Sequence, residues 1–242
     1  MKSGKIHVIG IGPGLLDYMT PRAKEAIAAS DVVVGYKLYL DLIDELIKNK
    51  STDFTGMKRE VERCTRVVEL AREGKTVSLV SSGDAGVYGM AGILLELADD
   101  GMDVEVIPGV TAANAAAASL GAPLMHDYVT ISLSDLLTEW SLIQKRLHCA
   151  GEGDFVVSIY NPRSKGRQNQ IVEARDILLK YKSAETPVGI VRNAKRDGEE
   201  ITISTLGDMM NENIDMVTMV IIGNSMTYVK DGRMVTPRGY HI

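Results

Sequence analysis

Short runs of β-branched and aliphatic residues alternate along the chain with longer stretches whose hydrophobic residues recur every three or four positions. The first pattern predicts strands and the second predicts helices, and their alternation is typical of an α/β protein. In the first half we expect strands at 5–9, 32–34, 76–80 and 104–107, and helices at 21–29, 38–47, 57–72, 87–98 and 111–119. In the second half we expect strands at 129–132, 155–160, 188–191, 199–204 and 216–222, and helices at 140–148, 168–181 and 205–210.

Small residues and proline mark the boundaries of these elements. Thr20 followed by Pro21 favours a helix start, because a hydroxyl caps the first turn and proline suits its first position. The small-residue break Gly121-Ala122-Pro123 is the best candidate for a domain boundary. We therefore expect two α/β domains, residues 1–121 and 122–242, with a ligand cleft between them.

Composition narrows the class of protein. Of 242 residues, 45% are hydrophobic and 24% are charged, which is typical of a soluble globular protein and excludes disorder. The net charge of −5 argues against a nucleic-acid partner, which requires a basic face. We expect no membrane span and no signal peptide, because no apolar run approaches the roughly 18 residues of a span. Cys64 and Cys149 are too few for a disulfide framework, so we expect a cytoplasmic protein.

Three glycine-rich breaks follow three of the predicted strands. They are Gly10-Ile11-Gly12-Pro13-Gly14, Ser81-Ser82-Gly83-Asp84-Ala85-Gly86-Val87-Tyr88-Gly89 and Pro108-Gly109-Val110-Thr111-Ala112. Ligands of α/β sheets collect at the carboxyl ends of strands, and glycine lets the backbone approach them closely. We therefore expect one medium-sized polar ligand that is bound mainly by main-chain groups.

A dinucleotide is the alternative ligand from another class. The first break approaches the G-x-G-x-x-G fingerprint, but Leu15 stands where the third glycine belongs. The following helix is expected only near Pro21. Asp31 lies at the start of the next strand, whereas a ribose-binding acid belongs at the end of that strand. These departures disfavour a nicotinamide-dependent oxidoreductase. A tetrapyrrole carrier without catalytic activity is a further alternative.

The three breaks, together with motifs of the second half, resemble the tetrapyrrole methylase family. The second-half motifs are His126-Asp127, Ile131-Ser132-Leu133-Ser134-Asp135-Leu136-Leu137-Thr138, Tyr160-Asn161-Pro162-Arg163-Ser164, Val191-Arg192-Asn193-Ala194, Ile222-Gly223-Asn224-Ser225 and Gly232-Arg233-Met234-Val235-Thr236-Pro237-Arg238-Gly239-Tyr240. The resemblance covers nearly the whole chain. One departure is Glu139, where the family pattern has proline, and it concerns a turn.

The resemblance implies a two-domain enzyme that transfers a methyl group from S-adenosylmethionine (SAM) to a porphyrinoid carbon. The second-half motifs resemble the branch that methylates carbon 17 of precorrin-3B or cobalt-precorrin-3, with ring contraction, in cobalamin biosynthesis. A sister methylase that acts at another ring carbon is the nearest alternative. The resemblance is compatible with a cobalt-containing substrate and with a metal-free one. A homodimer is implied by the same resemblance. We expect no protein-bound metal, because methyl transfer requires no cluster of metal ligands and the sequence shows none.

The resemblance also implies which residues contact SAM. They are Pro13, Ser82, Gly83, Asp84, Val87, Thr111, Ala112, Tyr160 and Ala194. Asp84 has an alternative role as a turn residue that caps its own backbone. Tyr160 has an alternative role as a core aromatic residue.

The macrocycle carries many carboxylates, so its site requires cations. Arg163, Lys165 and Arg167 follow one strand, and Arg192, Lys195 and Arg196 follow another, with Arg163 and Arg192 nearest the strand ends. We expect these two arginines to bind carboxylates. Candidates for further substrate contacts are Gly12, Ser132, Ser134 and Asp135. His126 and Asp127 are candidates for proton transfer, with a purely structural role as the alternative.

Overall fold

The computed structural model describes residues 4–56 and 59–240. The chain divides into two compact units, Met1–Ala112 and Ala113–Ile242. Among the described residues, no helix is long and apolar enough to cross a membrane.

Unit 1 contains a five-stranded parallel sheet in the order β3-β2-β4-β1-β5. Its strands are β1 (Lys5–Gly10), β2 (Val32–Tyr36), β3 (Ser51–Thr55), β4 (Val77–Ser81) and β5 (Asp103–Ile107). The central strands β1, β2 and β4 are buried almost throughout, and this explains their continuous runs of Val, Ile and Leu. The sequence did not predict β3, because this edge strand is polar and half exposed.

Within the described part of unit 1, five α-helices accompany this sheet. They are α1 (Pro21–Ala29), α2 (Lys37–Asp41), α3 (Asp44–Ile47), α4 (Glu60–Arg72) and α5 (Ala91–Leu97). The predicted bounds of α1 are confirmed, and the hydroxyl of Thr20 accepts a hydrogen bond from the amide of Ala23 at 3.2 Å. The single helix expected at 38–47 is wrong, because two short helices occupy it. Part of the helix expected at 57–72 lies outside the described residues, and α4 is observed from Glu60.

Unit 2 contains a five-stranded mixed sheet in the order β10-β9-β11-β8-β7. Its strands are β7 (Tyr128–Ser132), β8 (Val156–Tyr160), β9 (Pro187–Arg192), β10 (Glu200–Thr205) and β11 (Thr218–Ile222). Strands β7 and β8 are parallel, whereas β11 is antiparallel to both of its neighbours, β8 and β9. Helices α7 (Trp140–Glu152) and α8 (Gln170–Leu178) pack on this sheet around a core of aliphatic side chains.

The two units divide between Ala112 and Ala113, whereas the break was expected after residue 121, so helix α6 (Ala112–Leu120) belongs to unit 2 from its second residue onward. The side chain of Leu120 packs on Gly189 of β9, where an added Cβ would lie 2.2 Å from Leu120 Cδ1. At the same end of the helix, Ser119 Oγ donates to Glu199 Oε1 at 2.6 Å. These contacts explain why the alanine-rich helix belongs to the second unit.

A small three-stranded sheet has no counterpart among the elements predicted from the sequence. It joins β6 (Gly121–Ala122), which follows α6, to the hairpin of β12 (Tyr228–Lys230) and β13 (Arg233–Val235). These strands contain only two or three residues, which is too short for a periodic pattern.

Two predicted helices are also wrong in extent. The helix expected at 87–98 begins only at Ala91, because Tyr88 has a left-handed φ of 54° and Gly89 packs against the carbonyl of Ala85. The helix expected at 205–210 is a single 3₁₀ turn, Met209–Asn211.

Candidate functional site

The three glycine-rich loops of unit 1 leave the carboxyl ends of β1, β4 and β5. Because β1 pairs with both β4 and β5, the loops that follow these strands emerge side by side. We name them loop 1 (residues 10–14), loop 2 (residues 81–89) and loop 3 (residues 108–112). The structure thus brings the three glycine-rich loops together at one edge of the sheet.

Loops 1 and 2 are joined by a reciprocal main-chain pair. The amide of Gly12 donates to the carbonyl of Gly83 at 3.0 Å, and the amide of Gly83 donates to the carbonyl of Gly12 at 2.7 Å. Both glycines are left-handed, with φ of 74° and 69°, a conformation that other residues rarely adopt. The amide of Ile11 extends the contact by donating to the carbonyl of Ser81.

Loop 3 packs directly on the other two loops through Gly109. A Cβ added to Gly109 would lie 2.2 Å from the carbonyl oxygen of Gly83 and 2.6 Å from that of Gly10. A Cβ added to Gly10 would lie 2.7 Å from the amide nitrogen of Gly109. Glycine is therefore required at both positions because three backbones meet there.

Asp84 holds loops 2 and 3 together with its carboxylate. Oδ2 accepts from the amide of Gly109 at 2.9 Å, and Oδ1 accepts from the amide of Gly86 at 2.8 Å. Asp84 is also the one charged residue in the sequence of the three loops. Its charge is therefore taken up by two main-chain donors.

These contacts correct the expectation that the loop glycines leave their main-chain groups open to a ligand. The amides and carbonyls of Gly12 and Gly83 pair with each other, and both residues are buried, as is Pro13. The more exposed positions of the predicted SAM site are the partly exposed residues Ser82, Asp84, Val87, Thr111 and Ala112. The groups that a ligand can reach are therefore side chains and the outer main chain of loops 2 and 3.

The geometry of loop 1 also disfavours a dinucleotide. Helix α1 begins at Pro21, after a separate 3₁₀ turn, so its N-terminus does not adjoin the glycines. Asp31 lies before β2, and its carboxylate accepts from the amide of Thr76 at 2.8 Å.

In unit 2, Tyr160 contacts α6 directly, and Ala194 lies in a loop that is joined to α6 through Glu199. The amide of Ala113 donates to the hydroxyl of Tyr160 at 3.1 Å, which satisfies a free donor in the first turn of α6. Ala194 is buried between Asn193 and Lys195, both left-handed with φ of 51° and 54°. The amide of Lys195 donates to Glu199 Oε1 at 2.9 Å.

Glu199 therefore connects the loop around Ala194 to α6. Burial would raise the pKa of Glu199, but the hydrogen bonds from Ser119 and from the amide of Lys195 outweigh it and lower this pKa. Glu199 is consequently a charged acceptor that fixes the shape of this loop.

The carboxyl ends of β7 and β8 are joined by Ser132 and Asn161. Ser132 Oγ accepts from Asn161 Nδ2 at 3.0 Å and from the amide of Ser134 at 3.2 Å. Asp135 Oδ2 accepts from Gln170 Nε2 at 2.8 Å. Ser132 and Ser134 are partly exposed, and Asp135 is exposed.

The two predicted carboxylate-binding arginines differ in their surroundings. Arg192 Nε donates to Asp215 Oδ2 at 2.8 Å, and its Nη1 donates to Glu200 Oε1 at 3.2 Å. The hydrogen bond that Arg192 donates to Asp215 raises the pKa of Arg192. Arg163, in contrast, forms no ion pair with any residue of ranges 4–56 and 59–240, and its buried Nε has no partner.

The sequence groups Arg167 only with the cations that follow β8, and in the structure it is buried, with 8% of its surface exposed. Its Nη2 donates to the carbonyl of Asn161 at 2.9 Å. The sequence did not indicate this burial, because charged residues alternate with small ones in Arg163-Ser164-Lys165-Gly166-Arg167 and nothing in that pattern marks a core-facing position.

His126 and Asp127 lie immediately before β7, and their side chains are 44% and 83% exposed, respectively. The main-chain amide of Asp127 donates to His126 Nδ1 at 2.8 Å. Since Nδ1 serves as an acceptor in this turn, proton exchange with a substrate would use Nε2.

Among the residues that the structure describes, no group of three His, Cys, Asp or Glu side chains could hold a metal ion.

The family model of the tetrapyrrole (corrin/porphyrin) methylases matches residues 5–210. The chain therefore belongs to the tetrapyrrole methylase family, whose members are SAM-dependent C-methyltransferases.

Its relatives point to one member of that family. The chain is 56% identical to the probable cobalt-factor III C(17)-methyltransferase of Salmonella typhimurium, over 97% of this chain and 99% of that protein. It is 52% identical to the cobalt-factor III methyltransferase of Priestia megaterium, over 98% of this chain but only 45% of that longer protein. The crystal structure of the methyltransferase CobJ matches with a TM-score of 0.92 and 37% identity, covering 97% of this chain and all of that one.

Proposed function

We propose that this protein transfers a methyl group from SAM to carbon 17 of a tetrapyrrole of the cobalt-factor III type, with contraction of the ring. The observation that carries the proposal is the joining of three glycine-rich loops, with Asp84 as their one charged residue, at one edge of the parallel sheet of unit 1. The relative from Salmonella typhimurium supports the substrate class, because it is similar over almost its whole length.

The loops suit SAM because they present a weakly charged surface. The carboxylate of Asp84 is already bonded to two amides, so no unpaired charge of the loops faces a ligand. The residues that would hold SAM in unit 1 are Pro13, Ser82, Gly83, Asp84, Val87, Thr111 and Ala112. From unit 2 we propose contributions of Tyr160 and Ala194.

Within this set, Asp84 and Gly83 act through the loops rather than by direct contact. Asp84 fixes Gly109, and Gly83 fixes Gly12, whose proposed contact with the macrocycle is therefore made from a rigid backbone. SAM supplies a methyl group that its sulfonium already activates. The chain has to orient this group and keep water away, so rigid loops without free charge suit the step.

For the macrocycle we propose that Arg163 binds a carboxylate, since its guanidinium has no acidic partner among the described residues. Ser132, Ser134 and Asp135 would contact polar groups near the ends of β7 and β8. Arg192 is already neutralised by Asp215 and Glu200, so we assign it to holding β9, β10 and the turn before β11. His126, through Nε2, is our candidate for proton exchange, with Asp127 fixing its ring.

We further propose that any cobalt arrives within the macrocycle and that no protein-bound metal takes part, because an activated sulfonium methyl group requires none. We also propose that the protein works as a cytoplasmic homodimer. Two free cysteines accord with a reducing compartment, and size-exclusion chromatography with light scattering tests the oligomeric state.

Calorimetry with SAM, its demethylated product S-adenosylhomocysteine and NADH tests the class of ligand. We expect the first two to bind and NADH not to bind. Tight binding of NADH would contradict the proposal and restore the oxidoreductase alternative.

Mass spectrometry after reaction with cobalt-factor III tests the activity. We expect the gain of one methyl group and a contracted ring. SAM labelled with ¹³C in its methyl group then locates the modified carbon by NMR. A label on another ring carbon would assign the chain to a sister methylase, and an unmodified macrocycle would contradict the proposed substrate.

A further inference from the structure

The segment that follows β8 forms a tight turn that carries two arginines. The amide of Ser164 donates to the carbonyl of Arg167 at 2.9 Å, and the amide of Arg167 donates back to Ser164 at 3.1 Å. Lys165 and Gly166 form the exposed tip of this turn. Arg163 and Arg167 therefore flank the base of the turn, next to the carboxyl end of β8.

The position of this turn is fixed by Asn161 and Arg167. Asn161 is left-handed, with φ of 50°, and its side-chain amide donates to Ser132 Oγ. Its carbonyl accepts from Arg167 Nη2 at 2.9 Å. Arg167, at the end of the turn, thus donates a hydrogen bond to Asn161, at the start of the segment after β8. The turn cannot move without breaking this contact.

Neither arginine has an acidic partner among the residues that the structure describes. No described carboxylate pairs with Arg163 or Arg167, and the Nε atom of each is buried without a hydrogen-bond partner. Arg167 is 8% exposed, so its charge lies in a region where water screens little. A buried guanidinium with unused donors is costly unless an anion or another acceptor compensates it.

The buried Arg63 of unit 1 allows a comparison of the hydrogen-bond acceptors around a buried guanidinium group. Its guanidinium donates to the carbonyls of Thr55 and Gly56 and to the sulfur of Met90. Arg167 has one such acceptor, and Arg163 has none among the described residues. Arg63 Nε is also buried without a partner, but the Nη atoms of Arg63 have three acceptors, whereas those of Arg167 have one.

We propose that Arg167 is a specificity-determining residue that forms, together with Arg163, the subsite for one carboxylate side chain of the macrocycle. Arg163 contacts the carboxylate, while Arg167 positions the turn and adds a second, poorly screened positive charge. The planar guanidinium group suits a carboxylate, which explains arginine at both positions. This inference rests on the proposed function, because it assumes a polycarboxylate substrate.

Variants of the two arginines test the subsite. We expect Arg167→Gln and Arg163→Gln each to raise KM for cobalt-factor III about tenfold, with smaller effects on kcat and on the dissociation constant of SAM. Arg167→Lys retains the charge and should recover part of this loss. The double variant should lose less than the product of the two single effects, because both act on one carboxylate. Arg146→Gln, an exposed residue of α7, is the matched control and should leave KM unchanged.

Binding of uroporphyrin III, an octacarboxylate tetrapyrrole, separates this inference from the proposed function. Fluorescence titration measures it without turnover, at two salt concentrations. If wild type binds it and Arg167→Gln weakens binding together with its salt dependence, the subsite stands even where cobalt-factor III is not methylated. If Arg167→Gln and Arg167→Lys lower the melting temperature while porphyrin affinity and KM keep their wild-type values, Arg167 is structural only and the inference is overturned.

Discussion

The carboxylate of Asp84 and the amide of Gly109 lie 2.9 Å apart and join two loops that are 25 residues apart in sequence. This contact depends on the absence of a side chain at Gly109, where the backbones of three loops meet. The candidate SAM site therefore owes its shape to contacts among the loops themselves.

Asp84→Ala removes the acceptor for the amides of Gly109 and Gly86. A hydrogen bond to a charged group contributes roughly 1.5–3 kcal/mol, so we expect about a tenfold loss of SAM affinity in a folded protein. Calorimetry measures this loss, and Asp100→Ala, an exposed acid of the same unit, is the control. Wild-type affinity in Asp84→Ala would reduce Asp84 to an ordinary turn residue.

Gly109→Ala places a methyl group 2.2 Å from the carbonyl oxygen of Gly83. Because backbone atoms form this contact, the loops must separate, and we expect both a lower melting temperature and the loss of SAM binding. Gly92→Ala is the control, because a Cβ at this helical position meets nothing within 4 Å. Alanine there should be neutral or stabilising. Equal behaviour of the two variants would contradict the close packing of the loops.

Arg192→Gln separates a stabilising role from substrate binding. Loss of the pairs with Asp215 and Glu200 should lower the melting temperature by a few degrees, while KM for the macrocycle changes less than about twofold. Thermal melts and steady-state kinetics measure both effects. A large rise of KM at an unchanged melting temperature would return Arg192 to the substrate site.

Glu105 makes stability depend on pH. Hydrogen bonds from Arg22 and Lys5 lower the pKa of Glu105 from 4.5 to about 2. The ionised carboxylate therefore stabilises the folded state at pH values above its ordinary pKa of 4.5. This contribution is lost as pH falls from 4.5 toward about 2. Glu105→Gln should therefore melt below wild type near neutral pH, with a gap that narrows on acidification. Glu96→Gln, an exposed control, should show no such trend.

The two cysteines should differ in reactivity. Burial raises the pKa of Cys64 to about 11, whereas Cys149 is exposed on α7. In the native protein we expect iodoacetamide to label Cys149, and Cys64 at least about a hundredfold more slowly, because thiolate is the nucleophile. Peptide mass spectrometry measures this. In Cys149→Ser, labelling of Cys64 should require denaturant, and rapid native labelling would contradict its burial.

Local patterns predicted those elements whose signal is local. Thr20 and Pro21 identify the start of α1, and the hydrophobic runs identify the buried strands β1, β2 and β4. The polar edge strand β3 lacks such a run and was missed.

The sequence predicted where the candidate site lies, but it did not predict the contacts among the loops of the site. Glycines at three strand ends indicated the edge of the sheet, yet the pairing of Gly12 with Gly83 depends on strand order, which no local pattern encodes. Charge near a strand end likewise did not separate Arg163 from Arg192, because the partners of Arg192 lie 8 and 23 residues away.

Strand β11, which follows all the other members of its sheet in the sequence, lies between β8 and β9. During synthesis, the earlier strands of unit 2 therefore remain two unconnected pairs, each with an open edge, until residues 218–222 leave the ribosome. A nascent chain halted before that point should bind chaperones and be cleaved readily by proteases, whereas unit 1 can by then be complete.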